Sequence, residues 1–477
     1  MVPLLVMSVL SGCSLGGDGG DRSAAASQVV SQGQGISAHA RILRSYGGVY
    51  ENAALTAYVG TIVRAIARQT TLPEEAYVLT ILDSPRANAM ALSDGRVYVT
   101  RGMLALASDE AQLAGVLAHE MGHVNARHIA SRRDAAADIA RLDNVVGGLF
   151  GEGSNAAPGL MSRSGLLAGY SRIQEEEADR LAVTYLDQAG YDPLAVSDVL
   201  SAMDAYSRHR AGLVDRAFYA DAGSWFANHP KTQDRVRRTA ERAQSLRLSR
   251  QPKLRRRAQY LAAIDGLLYG TSPEQGYVRG QRFVHMVQGY QFEVPGSFRL
   301  VNADKVVWAI GPEKVVVKVD HVRVPSGIEP VTYLTNDWAS SLALKDVRQF
   351  EIAGLSSASA RMRFQGLNTL AVVISARPGE LYRFLIGVPP QVGERYHEAL
   401  SQIVSSFRLM GEGDKGLGSL RIKVMDTLRD GTIEQVSRDL GLPVQDRAEL
   451  ELLNGLERNE IVPARTLIKL IEEALAS

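Results

Sequence analysis

The chain of 477 residues has one cysteine, Cys13, so it can form no internal disulfide and build no multi-cysteine metal site. It also lacks an excess of either charge. Its 53 Lys and Arg against 52 Asp and Glu leave a net charge of +1, which excludes a whole-molecule field that would recruit nucleic acid. No stretch reaches the roughly 18 consecutive apolar residues that a membrane-spanning helix needs. There is no internal repeat. One local run of cations, Lys253, Arg255, Arg256 and Arg257, reads as a solvated helix face, not a nucleic-acid contact.

What is present is an ordinary globular composition, 45% hydrophobic and 22% charged, over a length that exceeds the roughly 250–300 residues of a single core. A multidomain α+β chain with three folded parts is expected. Residues 3–10 are a short apolar run followed by small residues, the form of an export signal. Leu10-Ser11-Gly12-Cys13 resembles a bacterial lipobox, which implies cleavage before Cys13 and its acylation, so that residues 1–13 are signal and acylation site. Residues 14–35, rich in Gly, Ser and Ala, read as a flexible tether. Residues 36–275 are dominated by helical periodicity, with strands expected near 77–82 and 96–100 and helices near 109–130 and 171–189. Residues 144–170, rich in Gly, Ser and Leu, read as a lid or loop. From 276 to 410 the pattern turns to alternating strands, at 290–294, 305–310, 314–324, 370–376 and 381–388, with helices at 331–344 and 394–407. A linker around 409–418 precedes a small domain at 419–475.

The chemistry is concentrated at His119-Glu120-Met121-Gly122-His123, inside a strongly helical stretch. Two histidines four residues apart project from one helix face and can share a metal ion, while Glu120, turned by about 100°, can approach water at that metal without ligating it. Catalytic zinc needs a further protein ligand. Glu175-Glu176-Glu177-Ala178-Asp179 opens a second helix on which Glu175 and Asp179 share a face. Glu175 can bind the metal while Asp179 orients a histidine. The same acidic triplet also suits a helix start through its dipole. A purely structural zinc site is disfavoured, because such sites use four protein ligands and prefer cysteine.

The run from Leu113 to His128, with its His-Glu-x-x-His core, resembles the HtpX and CAAX-protease type of zinc metallopeptidase, in particular its periplasmic BepA-like members. Three further segments carry the resemblance: Asn88-Ala89-Met90-Ala91-Leu92 with Tyr98 to Gly102, Glu175 to Asp179, and Asn228-His229-Pro230 with Arg235. Together they cover about residues 38–275. The resemblance implies a mainly helical zincin-type domain with a small sheet, and one zinc ion held by His119, His123 and Glu175. It implies Glu120 as catalytic base, Asp179 and Arg235 in support, and an edge strand at Asn88, Ala89, Met90 and Ala91 that takes an extended substrate. His229 is expected either to stabilise the oxyanion or to occupy the open position at the metal. His128 reads as a packing or hydrogen-bonding residue, and His39, His209, His285, His321 and His397 have no ligand spacing. The activity implied is hydrolysis of misfolded or unassembled envelope proteins at the periplasmic face. The chain would be lipid-anchored to the outer membrane through Cys13, with no nucleic-acid partner. The alternative is a lipid-anchored chaperone or assembly factor whose protease activity is dormant or gated.

The strand-rich part contains Trp308 and Trp338 but no cluster suggesting a second active site, and reads as a recruiting or supporting domain. Asp430-Gly431-Thr432, Asn454-Gly455 and Pro463-Ala464 make the last part similar to a LysM module, which implies contact with N-acetylglucosamine-containing glycans such as peptidoglycan.

Overall fold

The computed structural model describes residues 38–131, 170–213, 229, 233–247, 253–303, 306–411, 418–441, 447–457 and 459–474. Cys13, the signal, the tether, residues 144–169 of the expected lid and most of the expected 409–418 linker lie outside them. In helix α1 (Ala53–Ala67), Leu55, Val59, Ile62, Val63 and Ile66 fall on one face and are buried, as helical periodicity demands. Strands β1 (Val78–Leu82), β2 (Ala89–Ala91) and β3 (Arg96–Thr100) form a sheet in the order β1-β3-β2, with β1 parallel and β2 antiparallel to β3. The turn into β3 needs glycine: Gly95 has φ +87°, and a Cβ there would lie 2.0 Å from the carbonyl oxygen of Ala76.

Thr100 then caps a short helix, α2 (Arg101–Leu106), and Asp109 caps α3 (Glu110–Asn125) by accepting from the Gln112 amide at 2.8 Å. Every residue of α3 from Glu110 to Val124 is buried, so this is the central helix of the domain. Ser171 and Gln174 form a capping box at the start of α4 (Arg172–Gln188). Helices α5 (Ala195–Leu213), α6 (Gln233–Arg247) and α7 (Arg257–Ile264) pack around this pair. Glycines let the helices close up: a Cβ on Gly122 would sit 3.3 Å from the Ala178 carbonyl of α4, and one on Gly115 3.3 Å from Val196 of α5.

The expectation of a solvated helix face at 253–257 is overturned. Only Arg257 is helical, and the cations are tied to this chain's own groups. Lys253 meets Asp187 at 2.9 Å, Arg255 meets Asp109, Asp192 and Asp198 at 3.1, 3.0 and 2.5 Å, and Arg256 meets Glu110 at 3.1 Å. Arg257 donates to the carbonyls of Ser108 and Leu467. The segment is an internal strap across the start of α3, and its partners lie 57 to 210 residues away in sequence.

The strand-rich part contains β4 (Tyr277–Arg279), β5 (Arg282–His285), β6 (Tyr290–Glu293), β7 (Arg299–Ala303), β8 (Val306–Ile310) and β9 (Val316–Arg323). It continues with β10 (Lys345–Ile352), β11 (Leu355–Phe364), β12 (Leu367–Arg377), β13 (Glu380–Val388), helix α8 (His397–Ser405) and β14 (Arg408–Leu409). Seven strands pair in the order β10-β11-β12-β13-β9-β8-β7, and β14-β6-β5-β4 form a second sheet. Phe283, Phe292, Phe384 and Phe407 fill one core between them. The expected helix at 331–344 is shorter, a single turn at Pro330–Thr332 running into a wide turn at Tyr333–Trp338.

A pH response follows from this core. Burial, aided by His321, holds the His285 imidazole down at about 4. The unfolded chain therefore binds the extra proton first as pH falls below about 6.5, so the stabilising contribution is complete above that pH and is lost towards pH 4. The loss amounts to roughly 3 kcal/mol. Urea unfolding of wild type and His285→Asn across this range should show the steeper acid loss in wild type, and parallel curves would contradict it.

The last part comprises β15 (Ser419–Asp426), β16 (Gly431–Thr432), α9 (Ile433–Asp439), α10 (Arg447–Asn454), β17 (Ile461–Val462) and β18 (Leu467–Ala474), with β15 and β18 antiparallel. It is fastened to the helical domain. Ile422 and Leu453 join that domain's core, the backbone of 266–269 bonds to Leu420 and Ile422, and Lys469 donates to the carbonyls of Ala105, Leu106 and Ala107 at 2.7, 3.2 and 2.8 Å. These carbonyls end α2 and are among those that a helix end leaves without a partner inside the helix.

Candidate metal centre

His119 and His123 project from α3, one turn apart, towards Glu175 in the first turn of α4, and His229 lies beside them. One ligand atom from each of these four buried residues lies within 4.8 Å of the others. His123 Nε2 is 3.0 Å from His119 Nε2 and 3.3 Å from Glu175 Oε1, and His229 Nδ1 is 3.2 Å from His119 Nε2 and 3.0 Å from Glu175 Oε1. A tetrahedral zinc ion with bonds of about 2.0–2.1 Å sets its ligand atoms about 3.3 Å apart. Four of the six separations are thus close to the edges of such a site, and all six lie within 4.8 Å.

Charge gives a second test of fit. The carboxylates of Glu120, Glu175 and Asp179 are 2%, 0% and 5% exposed, and one guanidinium, Arg235, is buried with them. With neutral imidazoles, two negative charges remain in excess, which a buried site offsets by taking up protons or a metal cation. A dication balances them. Burial holds His123 neutral and therefore ready to ligate. Burial alone would raise the pKa of Glu175, but hydrogen bonds with His123 and His229 carry it far below the usual carboxylate range. For His119, burial is outweighed by Asp179 and then Glu175, which raise its pKa.

Each inner residue is held from behind. His119 Nδ1 lies 2.9 Å from Asp179 Oδ1, and Arg235 binds Asp179 through Nε and Nη2 at 2.7 and 2.8 Å while its Nη1 meets Glu175 Oε2 at 2.5 Å. Asp179 and Arg235 thus orient a histidine and a carboxylate together. Glu120 stands beside the cluster with Oε1 3.4 Å from His229 Nε2. The expected edge strand is placed as well: β2 pairs only with β3 among the described residues, and Asn88 is buried, donating to the Tyr46 hydroxyl at 2.7 Å.

His128 is a hydrogen-bonding residue, as expected, although its partners were not legible in the spacing, and Tyr170 was not singled out at all. His128 Nδ1 is 2.9 Å from His123 Nδ1, and its Nε2 is 3.2 Å from Glu177 Oε2. An unbroken helix would carry His128 away from His123, but Arg127 has φ +56° and turns the chain back. Tyr170 stacks on His123, with ring centroids 3.7 Å apart and planes at 18°. Its place just before the Ser171 cap is the one signal that could have suggested it.

Residues 53–243 match the model of peptidase family M48. A protease HtpX homolog of Burkholderia multivorans is 30% identical over 239 residues, which are 43% of this chain and 80% of that protein. The chain belongs to peptidase family M48. Two other relatives are matched over a smaller share of their length. The beta-barrel assembly-enhancing protease of Yersinia pestis is 26% identical over 36% of this chain and 37% of its own. The mitochondrial metalloendopeptidase OMA1 of Schizosaccharomyces pombe is 30% identical over 39% of this chain and 52% of its own. His119, His123, Glu175 and His229, which could hold a metal ion, all lie inside the matched segment, whereas 276–474 lie outside it.

Proposed function

We propose that the chain is a zinc-dependent endopeptidase, on the single observation that four buried atoms able to ligate one metal ion, all within 4.8 Å of one another, sit against a carboxylate, Glu120, that is not among them. Zinc, when bound, supplies a Lewis acid that acidifies water and polarises a peptide carbonyl. His119, His123 and Glu175 hold the ion. Glu120 takes the proton from the attacking water on its carboxylate and returns it to the leaving amine. An extended peptide adds to the edge of β2 at Asn88 to Ala91, where main-chain hydrogen bonds read little side-chain sequence.

The substrates proposed are misfolded or unassembled envelope proteins, in line with the name beta-barrel assembly-enhancing protease carried by several relatives. Acylation at Cys13 would place the enzyme on the periplasmic face of the outer membrane. The antiparallel pair β15 and β18, with helices α9 and α10 and the short strands β16 and β17 between them, suits a LysM-like module that touches peptidoglycan.

The position of His229 favours a gated form of this activity. With its Nδ1 in the ligand set, His229 fills the position that catalysis needs for water, so it must withdraw before turnover. His229→Ala is therefore expected to cleave casein about tenfold faster than wild type at equal zinc content, as release of a partly populated latent state would allow. A zinc-loaded His229→Ala protein that is inactive would instead make His229 an oxyanion group. Absence of casein cleavage in both proteins would overturn the peptidase reading.

A further inference from the structure

The two histidines that α3 brings to the metal cluster are held from behind in different ways. His119 Nδ1 meets a buried carboxylate directly, Asp179 Oδ1 at 2.9 Å. Behind His123 stands another histidine: His128 Nδ1 is 2.9 Å from His123 Nδ1, and a carboxylate comes only after it, with Glu177 Oε2 at 3.2 Å from His128 Nε2. His128 is 4% exposed, whereas the Glu177 side chain is 43% exposed and also meets Arg180 at 3.5 Å. Glu177 lies two residues beyond Glu175 on α4, and so about 200° round the helix from it. A relay of two hydrogen bonds therefore joins the metal cluster to the protein surface.

Donor and acceptor rules allow this relay one polarity once a metal is held. His123 turns Nε2 to the cluster, 3.0 Å from His119 Nε2 and 3.3 Å from Glu175 Oε1. An imidazole that ligates through Nε2 keeps its hydrogen on Nδ1, and in His123 that hydrogen faces His128 Nδ1. His128 Nδ1 must then accept. Its own hydrogen goes to Nε2, where the Glu177 carboxylate, which can only accept, receives it. A donor in place of Glu177 would draw the His128 hydrogen on to Nδ1 and set two N–H groups against each other at 2.9 Å. Two further features fit the relay. Tyr170 fixes the plane of the His123 ring by stacking on it at 3.7 Å. Arg127 has φ +56°, a conformation that non-glycine residues adopt uncommonly and that persists where the surrounding structure holds it.

We propose that Glu177, acting through His128, holds His123 in the tautomer and orientation that bind metal, so that both are positioning residues of the metal centre. The proposal rests on the zinc site of the peptidase reading and deepens it, because it gives an exposed carboxylate a hold on a buried ligand. The neighbouring Glu176 faces Arg238 instead.

The test measures the zinc affinity of the full chain by chelator competition. Glu177→Lys replaces an acceptor with a donor and should weaken zinc binding about tenfold, the low end of what an outer partner of a ligand histidine contributes. Glu176→Lys makes the same charge change one residue away and should cost no more than about threefold, the scale of a screened surface charge. His128→Phe, which keeps a ring but has no acceptor, should lose about 10–100-fold. His128→Asn, whose side-chain oxygen can accept in place of Nδ1, should recover most of that loss. Adding Glu177→Lys to His128→Phe should cost no more than Glu176→Lys does, because both residues act through one hydrogen bond. A second readout needs no substitution: in the zinc-loaded wild type with isotope-labelled histidine, proton–nitrogen NMR should find the His128 hydrogen on Nε2. Equal losses in Glu177→Lys and Glu176→Lys, or a His128 hydrogen on Nδ1, would overturn the proposal, even where His128→Phe fails to fold. The peptidase reading fails on different results. A wild type that binds no zinc removes it and the relay together, whereas zinc binding without casein cleavage removes it alone, and the affinities still decide the relay.

Discussion

Glu120→Gln is expected to keep one zinc ion per chain and to lose peptidase activity by a factor of about 10²–10⁴, the range a positioned general base contributes. Glu120 neighbours the ligand His119 on α3 but points about 100° round the helix, and its Oε1 lies against His229 Nε2 instead of entering the ligand set. Glutamine keeps the shape and cannot take a proton at that atom. Stability should not suffer, because the substitution removes one negative charge from a pocket where three buried carboxylates face a single guanidinium. Metal analysis, thermal unfolding and casein cleavage on the same preparation separate the effects. If zinc remains and activity stays within about twofold of wild type, below even the weakest general-base contribution, Glu120 is not the base.

Local geometry made the inner cluster readable. Two histidines four apart on a helix must share a face, and the Ser171 and Gln174 cap places Glu175 in the first turn of the facing helix. The family resemblance singled out Glu175 from its neighbours, and the distances place its Oε1 in the ligand set. What stayed hidden depended on a single backbone reversal or on distant partners. His128 reaches His123 only because Arg127 adopts a left-handed conformation, which nothing in the composition of that segment demands. The cations at 253–257 looked solvated because their carboxylates lie in other segments of the chain.

The strand-rich part shows the same divide. β12 and β13 were visible through runs of Val, Ile and Leu, whereas β10 is exposed at every position but Ile352 and so carries no alternation to read. In β11 the buried positions include Ser357, Ala358 and Ala360, small residues whose alternation with polar neighbours has almost no hydrophobic contrast. The cavity lined by His285 and His321 was illegible for a different cause. His285 and His321 have no ligand spacing in sequence and come together only because β5 and β9 face one another across the core.

The second large effect is expected at Asp179, which is outside the group that could hold a metal yet contacts His119 directly and Glu175 through Arg235. Asp179→Asn should weaken zinc binding by about 10–100-fold, as loss of a buried outer carboxylate does. The causes act in one direction. His119 loses the charged acceptor of its Nδ1, at 2.9 Å, and with it the fixed tautomer that leaves Nε2 free for metal. Arg235 loses its two-point partner and keeps only Glu175, so its charge pulls harder on a ligand carboxylate. The pocket also gives up one of the negative charges that favour a dication. The metal-free protein should lose about 3 kcal/mol, the low end of the cost of breaking a buried ion pair, because Glu175 still pairs Arg235. Zinc separates a positioning role from a merely structural one. If Asp179 only braces the fold, wild type and variant differ by the same amount with and without zinc. If it positions His119, weaker binding adds about 1.4–2.7 kcal/mol to the difference at saturating zinc. Urea unfolding at both zinc levels, with affinity measured by chelator competition, decides between these outcomes, and an unchanged difference would remove Asp179 from the metal centre.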